Sequence, residues 1–425
     1  MRFGRVLSAV CATAAVFAST DVVADDALVV SRDEALRLGA KAGPGVATAH
    51  APLAGLHDAK DAAGSLLVLP PQLTLQGGPQ VLPAAPPNGA RVDATFGATA
   101  MMLFPLRGVG SARKDVADAS IQVASQGSRR ARMDAALRAA VAWSHVLEVK
   151  EIHKLRVDAL VQAQSLADVA KKRIGAGVGQ PAEQALALGE VGAQRVALLE
   201  AEGWMTEAFA ELRLAIGLES RAHLEVAGDL CAKEPSPVSS EDAARKSAFD
   251  ASPEVPLAGA RAELARRDTR LVSAVLGPTF GLGAAYQRDG AGDHIVQGVI
   301  SLPIPIADYG AFDRARTGAL AAAATADVER VRAELDRDVA IAIHDVSHSR
   351  EVKETLETAA LVPLEDALRL AKVQYETGTQ DVTLVLATRQ RTIAAREAHA
   401  RACGEVLRAD LRFLRVTGAL AKESP

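Results

Sequence analysis

The chain has 425 residues and a formal net charge of −4, too little charge to make nucleic acid its partner. Apolar residues make up 49%, which excludes a disordered protein, yet only 3% of residues are aromatic. Alanine in place of bulky side chains, among many charges, suits long and closely packed helices rather than one large globular core.

Arg2 and Arg5 precede an apolar run from Val6 to Ala18, and Val22-Val23-Ala24 offers a small-residue cleavage site before Asp25. This predicts a secretory signal peptide over 1–24, not a membrane span. Ser8-Ala9-Val10 before Cys11 is a poor lipoprotein site, so no lipid anchor is expected. A short helix follows in SRDEALRLGAKAG, residues 31–43. Two strands are then expected within about 70–106. In PQLTLQG, Leu73 and Leu75 alternate with Gln72, Thr74 and Gln76. In RVDATFGATAMM the apolar face is Val92, Ala94, Phe96, Ala98, Ala100 and Met102, against Arg91, Asp93, Thr95, Gly97 and Thr99. Strict period-two alternation marks strands with one apolar face. The bland reading is a half-buried soluble sheet; the sharper one is a membrane barrel whose lumen is lined by Arg91, Asp93, Thr95 and Thr99.

LFPLRGVGSARKD, with Pro105 and Gly110, then opens a long helix. Ile152, Leu155, Ala159, Leu166 and Val169 form one stripe along it, as in a coiled-coil seam. RIGAGVGQP turns the chain at Gly177, and a returning helix ends at Gly217. Pro235, Pro237 and several serines make 218–252 a connection. From 253 to 418 the same order recurs. PTFGLGAAYQ and HIVQGVISLPI are the strands, within about 277–306, and SLPIPIADYGAFDRAR is the strand-to-helix junction. Val328, Val331, Leu335, Val339, Ala342 and Val346 form the second seam, and YETGTQDV turns the chain at Gly378. Pro363 predicts a kink or a restarted helix. Pro105 and Gly110 match Pro305 and Gly310, Gly177 matches Gly378, and Gly217 matches Gly418. These pairings describe a tandem duplication over 25–217 and 253–418, with a short tail at 419–425. A helix of roughly 55–60 residues would be about 85 Å long.

Chemistry-bearing patterns are sparse. HDVSH places His344 and His348 at i and i+4, but Asp345 stands where a metalloprotease needs glutamate and no third ligand is evident. The reading is a solvated or tunnel-lining pair, with no metal site and no cofactor. GAGVGQ at 175–180 follows a helix and lacks a lysine, so it is a helix turn and not a phosphate loop. Lys171, Lys172 and Arg173 suit a helix C-terminus and could also help to dock a partner. Cys231 and Cys403 are read as free thiols, with pairing left open. No convergent acid, base and nucleophile set points to an enzyme.

Four strands cannot close a membrane barrel, and open edges cannot sit in lipid, so such a chain must oligomerise. Here the sequence resembles the TolC-type outer-membrane efflux proteins. DEALRLGAKAGP, VLPPQLTL, FPLRGVGSAR, IPIADYGAFDRAR and YETGTQDVTLVLATRQRTIAAR carry the likeness, in family order over nearly the whole mature chain. The resemblance implies a mostly α chain with a small β part, a long-helix coiled-coil tunnel below a twelve-stranded outer-membrane barrel shared by a homotrimer. It implies an exit duct for small molecules or metal ions, reaching from the outer membrane into the periplasm, partnered by a periplasmic adaptor and an inner-membrane pump. The adaptor would meet Ile174, Gly177, Val178, Gly179, Tyr375, Gly378, Thr379 and Gln380. The tunnel entrance would lie at Asp381, Leu384 and Ala387. Some members carry aspartates where this chain has Leu384 and Ala387, so a carboxylate ring is not expected. A protein-secretion exit duct and a soluble coiled-coil adaptor are the competing readings.

Overall fold

The computed structural model describes residues 28–63, 70–83, 90–232, 240–302 and 310–420. The expected signal peptide, Pro305 and the residues beyond 420 therefore lie outside the described residues. The chain opens with β1 (Leu28–Val30), α1 (Arg32–Ala42), α2 (Val46–His50) and α3 (Pro52–Ala63). Two strands, β2 (Gln72–Pro83) and β3 (Ala90–Pro105), lead into α4 (Val109–Gly175) and its return α5 (Pro181–Ala215). After β4 (Leu224–Val226) the order repeats: α6 (Glu241–Ala251), α7 (Glu254–Val275), β5 (Thr279–Arg288), β6 (His294–Ser301), α8 (Ala311–Thr355), α9 (Val362–Glu376) and α10 (Val382–Val416).

α4 has 67 residues, which at the standard rise makes a shaft about 100 Å long. Alanine makes its close packing possible: Ala135, Ala136, Ala139, Ala140, Ala163 and Ala170 are fully buried. Charges bind α4 to the antiparallel α10. Arg408 pairs with Glu148 at 2.7 Å, Arg415 with Asp134 at 2.6 Å, and Arg156 with Glu397. The buried Arg389 donates to the backbone carbonyl of Ala159.

The expected interruption at Pro363 takes a specific form. A π-helical turn, Leu356–Leu361, joins α8 to α9, and Pro363 then falls in the first turn of α9. Proline has no N–H to give to the preceding turn, and the wider turn accommodates the missing bond.

Three expectations are corrected. The second half starts earlier than its sequence suggests. α6, inside the segment read as connection, is the counterpart of α1, and both are capped by serine: Ser31 accepts from Glu34 N–H and Ser240 from Ala243 N–H. The connection also holds β4, which pairs in parallel with β1 and ties the start of the chain to the middle of the shaft. Three-residue strands carry too little periodicity to be read from sequence. Lastly, Cys231 and Cys403 are joined in a disulfide, with their Cα atoms 5.1 Å apart. The long sequence separation hid a proximity that the return of α10 along α4 creates.

Each half closes onto its own first helix. Gly217, at φ +72°, lies so near the end of α1 that a Cβ would stand 2.4 Å from the Ala42 carbonyl oxygen; Gly418, at φ +71°, meets Ala251 of α6 in the same way. Gly217→Ala therefore combines left-handed backbone strain with a clash against backbone, and should cost about 2–4 kcal/mol. Gly203→Ala, whose Cβ would meet nothing within 4 Å, should leave stability unchanged or raise it by up to about 1 kcal/mol. Thermal unfolding of the two detergent-extracted variants, followed by circular dichroism, separates these outcomes.

Candidate functional site

The four long strands form one antiparallel sheet in the order β2-β3-β5-β6. Its register puts the two faces in line across all four strands. Leu73 stands opposite Ala100, Val81 opposite Val92, Tyr286 opposite Val296 and Leu282 opposite Ile300. These belong to the outward face, where Leu73 is 68% and Val296 77% exposed. The other face is polar over β2 and β3. Thr74 pairs with Thr99 and Gln80 with Asp93, and the Thr95 hydroxyl donates to the Gly78 carbonyl at 3.1 Å. Asp93, Thr95 and Thr99 thus share one face of the sheet. Arg91 holds its backbone register opposite Leu82. One face of the sheet is thus apolar and exposed while the other is polar over much of β2 and β3, the alternation that a membrane barrel strand would carry.

At the base of the sheet each half turns from strand to helix. Pro105 is the last residue of β3. The left-handed residues that open α4 and α8 are Gly108, at φ +59°, and Gly310, at φ +68°. The sequence equivalence drawn between Gly110 and Gly310 therefore shifts by two residues, and Gly110 lies inside the first turn of α4.

The far end of the shaft carries two copies of one turn. In the first, the Arg173 carbonyl accepts from Val178 and Gly179 N–H, and Gly177 N–H donates to Ile174. In the second, the Gln374 carbonyl accepts from Thr379 and Gln380 N–H, and Gly378 N–H donates to Tyr375. Gly177 and Gly378 have φ of +76° and +77°. Such a helix stop needs a left-handed residue, which glycine takes without a Cβ penalty. Val178, Gly378, Thr379 and Gln380 are exposed, whereas Ile174 and Gly179 are half-buried.

A staple joins the two turns. Tyr375 is 1% exposed, and its hydroxyl donates to Glu183 Oε2 at 3.1 Å. Arg173 donates to the Tyr375 carbonyl at 2.8 Å, lies 4.8 Å from the centre of its ring and stands 3.7 Å from Glu183. Burial first, and then the Glu183 carboxylate, push the Tyr375 phenol up to about 12. Sequence reading placed Tyr375 at the turn and missed its partners. Arg173 looked like a helix-end cation, and Glu183 is a first-turn acid of α5. Only the folding of one hairpin against the other brings them together.

At the start of α10, Asp381 is the N-cap, accepting from the N–H and hydroxyl of Thr383. The Thr383 hydroxyl, followed by its N–H, holds the Asp381 carboxyl below its ordinary range. Leu384 and Ala387, farther along, are exposed, so this end of α10 presents apolar side chains. His344 and His348 stack with ring centres 5.5 Å apart on the exposed face of α8. Among the described residues they join no larger set of metal ligands.

The sequence of residues 245–419 matches the outer membrane efflux protein family, a family of outer-membrane channel proteins rather than enzymes. No curated protein matches the chain in sequence. Its fold is similar to that of a membrane protein from Pseudomonas aeruginosa, with a TM-score of 0.74 at 18% identity over 92% of this chain and 91% of that one. It is also similar to the CmeC outer membrane channel of Campylobacter jejuni, at 0.73 and 12% identity over 91% and 85%. The outer membrane protein VceC of Vibrio cholerae gives 0.69 and 17% identity over 91% and 96%. Residues 245–419 thus match the outer membrane efflux protein family, and the chain as a whole has a fold similar to that of these outer-membrane proteins.

Proposed function

We propose that three copies of this chain form the exit duct of an efflux pump. The sheet carries the argument. One face is apolar and exposed, the other is polar over much of β2 and β3, and among the described residues its outer strands β2 and β6 each have one unpaired edge. In lipid those edges need partners, because an unsatisfied backbone group costs several kcal/mol there. Three sheets joined edge to edge supply twelve strands, enough for a barrel with an open lumen. Among the described residues no helix is long and apolar enough to cross a membrane. In this reading the strands make the crossing, and the helices continue the tube into the periplasm. Asp93, Thr95 and Thr99 would line the barrel, with Arg91 in the same register.

The exposed turn residues Val178, Gly378, Thr379 and Gln380 suit contact with a periplasmic adaptor fed by an inner-membrane pump, with Ile174, Gly177 and Gly179 shaping the first turn. Conduction is passive: small molecules or metal ions pass, and no bond in the cargo changes. The Arg173–Tyr375–Glu183 staple keeps the second hairpin against the first. Partner contact at the turns would open the tunnel by parting them, past the apolar ends of α10 at Leu384 and Ala387.

Two measurements test the staple as the lock. Tyr375→Phe removes a hydrogen bond to a carboxylate, a loss of about 1.5–3 kcal/mol from the closed arrangement. In planar lipid bilayers this variant and Glu183→Gln should raise single-channel conductance or open time by about tenfold or more; unchanged traces would reject the lock. Tyrosinate absorbance provides the second test. Because the folded phenol is held up to about 12, above its unfolded value near 10, its stabilisation is complete below pH ~10 and is lost as pH rises through ~12. The difference between wild type and Tyr375→Phe should titrate near pH 12, and a midpoint near 10 would show a solvated phenol.

A further inference from the structure

The disulfide has a third member. Cys231 lies just after β4, while His399 and Cys403 are one turn apart on α10. The ligand atoms of all three lie within 4.8 Å of one another. His399 Nε2 is 3.8 Å from Cys403 Sγ. Cys403 is 1% exposed, while Cys231 is half-buried. The backbone around Cys231 is fixed independently of the sulfur bridge: its N–H donates to Asp229 Oδ1 at 3.0 Å, and its carbonyl accepts from Lys353 Nζ at 3.1 Å. Breaking the bridge would leave two thiols and an imidazole facing one another in a supported frame.

The cluster is reachable. Cys231 and His399 line a cleft of about 520 Å³, together with three cations, Lys150, Lys154 and Arg396, and two carboxylates, Glu151 and Asp229. Cys403 lines a second cleft of about 440 Å³. The cluster forms the wall between the two. Two thiolates and one neutral imidazole around a monovalent cation carry a net charge of −1, which the cations of the first cleft offset. Two soft sulfurs and one nitrogen, with no fourth ligand in the set, suit copper(I) better than zinc, which takes four.

We propose that Cys231, Cys403 and His399 form a redox-controlled copper(I) site, closed as the disulfide and opened by reduction. A dithiol reductant supplies two electrons and two protons. The S–S bond breaks, two thiols form, and the reductant leaves as its own disulfide. Copper(I) then binds two sulfurs and the imidazole nitrogen, and the two thiol protons pass to solvent. In either state α10 stays tied to the segment between the halves, so the shaft is clasped at this level by sulfur or by metal. The site stands apart from the proposed tip lock and does not depend on it.

The test uses full-length protein in detergent, reduced, freed of reductant and held under nitrogen. Copper(I) is titrated in competition with a chromophoric copper(I) chelator. Reduced wild type should withdraw one ion per chain, and oxidised wild type none. This comparison needs no substitution and so is free of folding effects. His399→Ala, which leaves the bridge able to form, should bind at least about tenfold more weakly once reduced. The double variant Cys231→Ser, Cys403→Ser should not bind. The proposal is overturned if reduced wild type takes no more copper(I) than the double variant, if His399→Ala binds as wild type does, or if the reduced protein takes zinc but not copper(I).

Discussion

The unpaired backbone edges of a four-stranded sheet are the constraint from which the rest of this architecture follows. Among the described residues, β2 and β6 offer rows of N–H and C=O groups with no strand partner. The outward face beside them is apolar enough to exclude water as the solution. Pairing with further copies satisfies both demands, and it forces the helices that hang from each sheet into a ring. The duplication serves the same end. Each half contributes one strand pair and one helical hairpin, so a single chain presents two similar arcs of wall.

The proposed duct would need a straight shaft and a movable tip. The shaft is held by alanine contacts and by partly buried ion pairs such as Arg408–Glu148, with side chains 18% and 10% exposed. Removing one partner of such a pair would strand a charge at a cost of about 3–5 kcal/mol, whereas exposed pairs such as Arg369–Asp366 contribute little. The softer elements lie nearer the tip. The π-helical turn at Leu356–Leu361 is followed by Pro363, and the two hairpin ends meet through one tyrosine, one arginine and one glutamate. The disulfide lies beside that turn, where Cys403 lines one cleft with Glu357 and Thr358.

Much of this was legible in the sequence, for identifiable reasons. The strands of the sheet have an alternating pattern because their two faces differ in polarity, and Leu73, Val92 and Tyr286 all lie exposed on the apolar one. The turn glycines Gly177 and Gly378 stand out because a tight helix stop demands a left-handed residue. What escaped was long-range. β1 and β4 are too short to show a period. α6 was hidden among the prolines and serines of the connection. Gly108 and Gly110 compete within a few residues for one role, and only backbone conformation assigns it to Gly108. Cys231 with Cys403, and Arg173 with Tyr375, are far apart in the chain and meet only because the second hairpin folds against the first. Local periodicity carries no information about such encounters.

The central claim is that one chain is a third of a channel. The most direct measurement is the mass of the detergent-extracted protein, corrected for bound detergent, by light scattering or native mass spectrometry. The 425-residue chain is 44.2 kDa, and the detergent-extracted particle should hold three chains and survive dilution. A stable monomer in mild detergent, with its sheet intact by circular dichroism, would show that the edges of β2 and β6 need no partner and would contradict it.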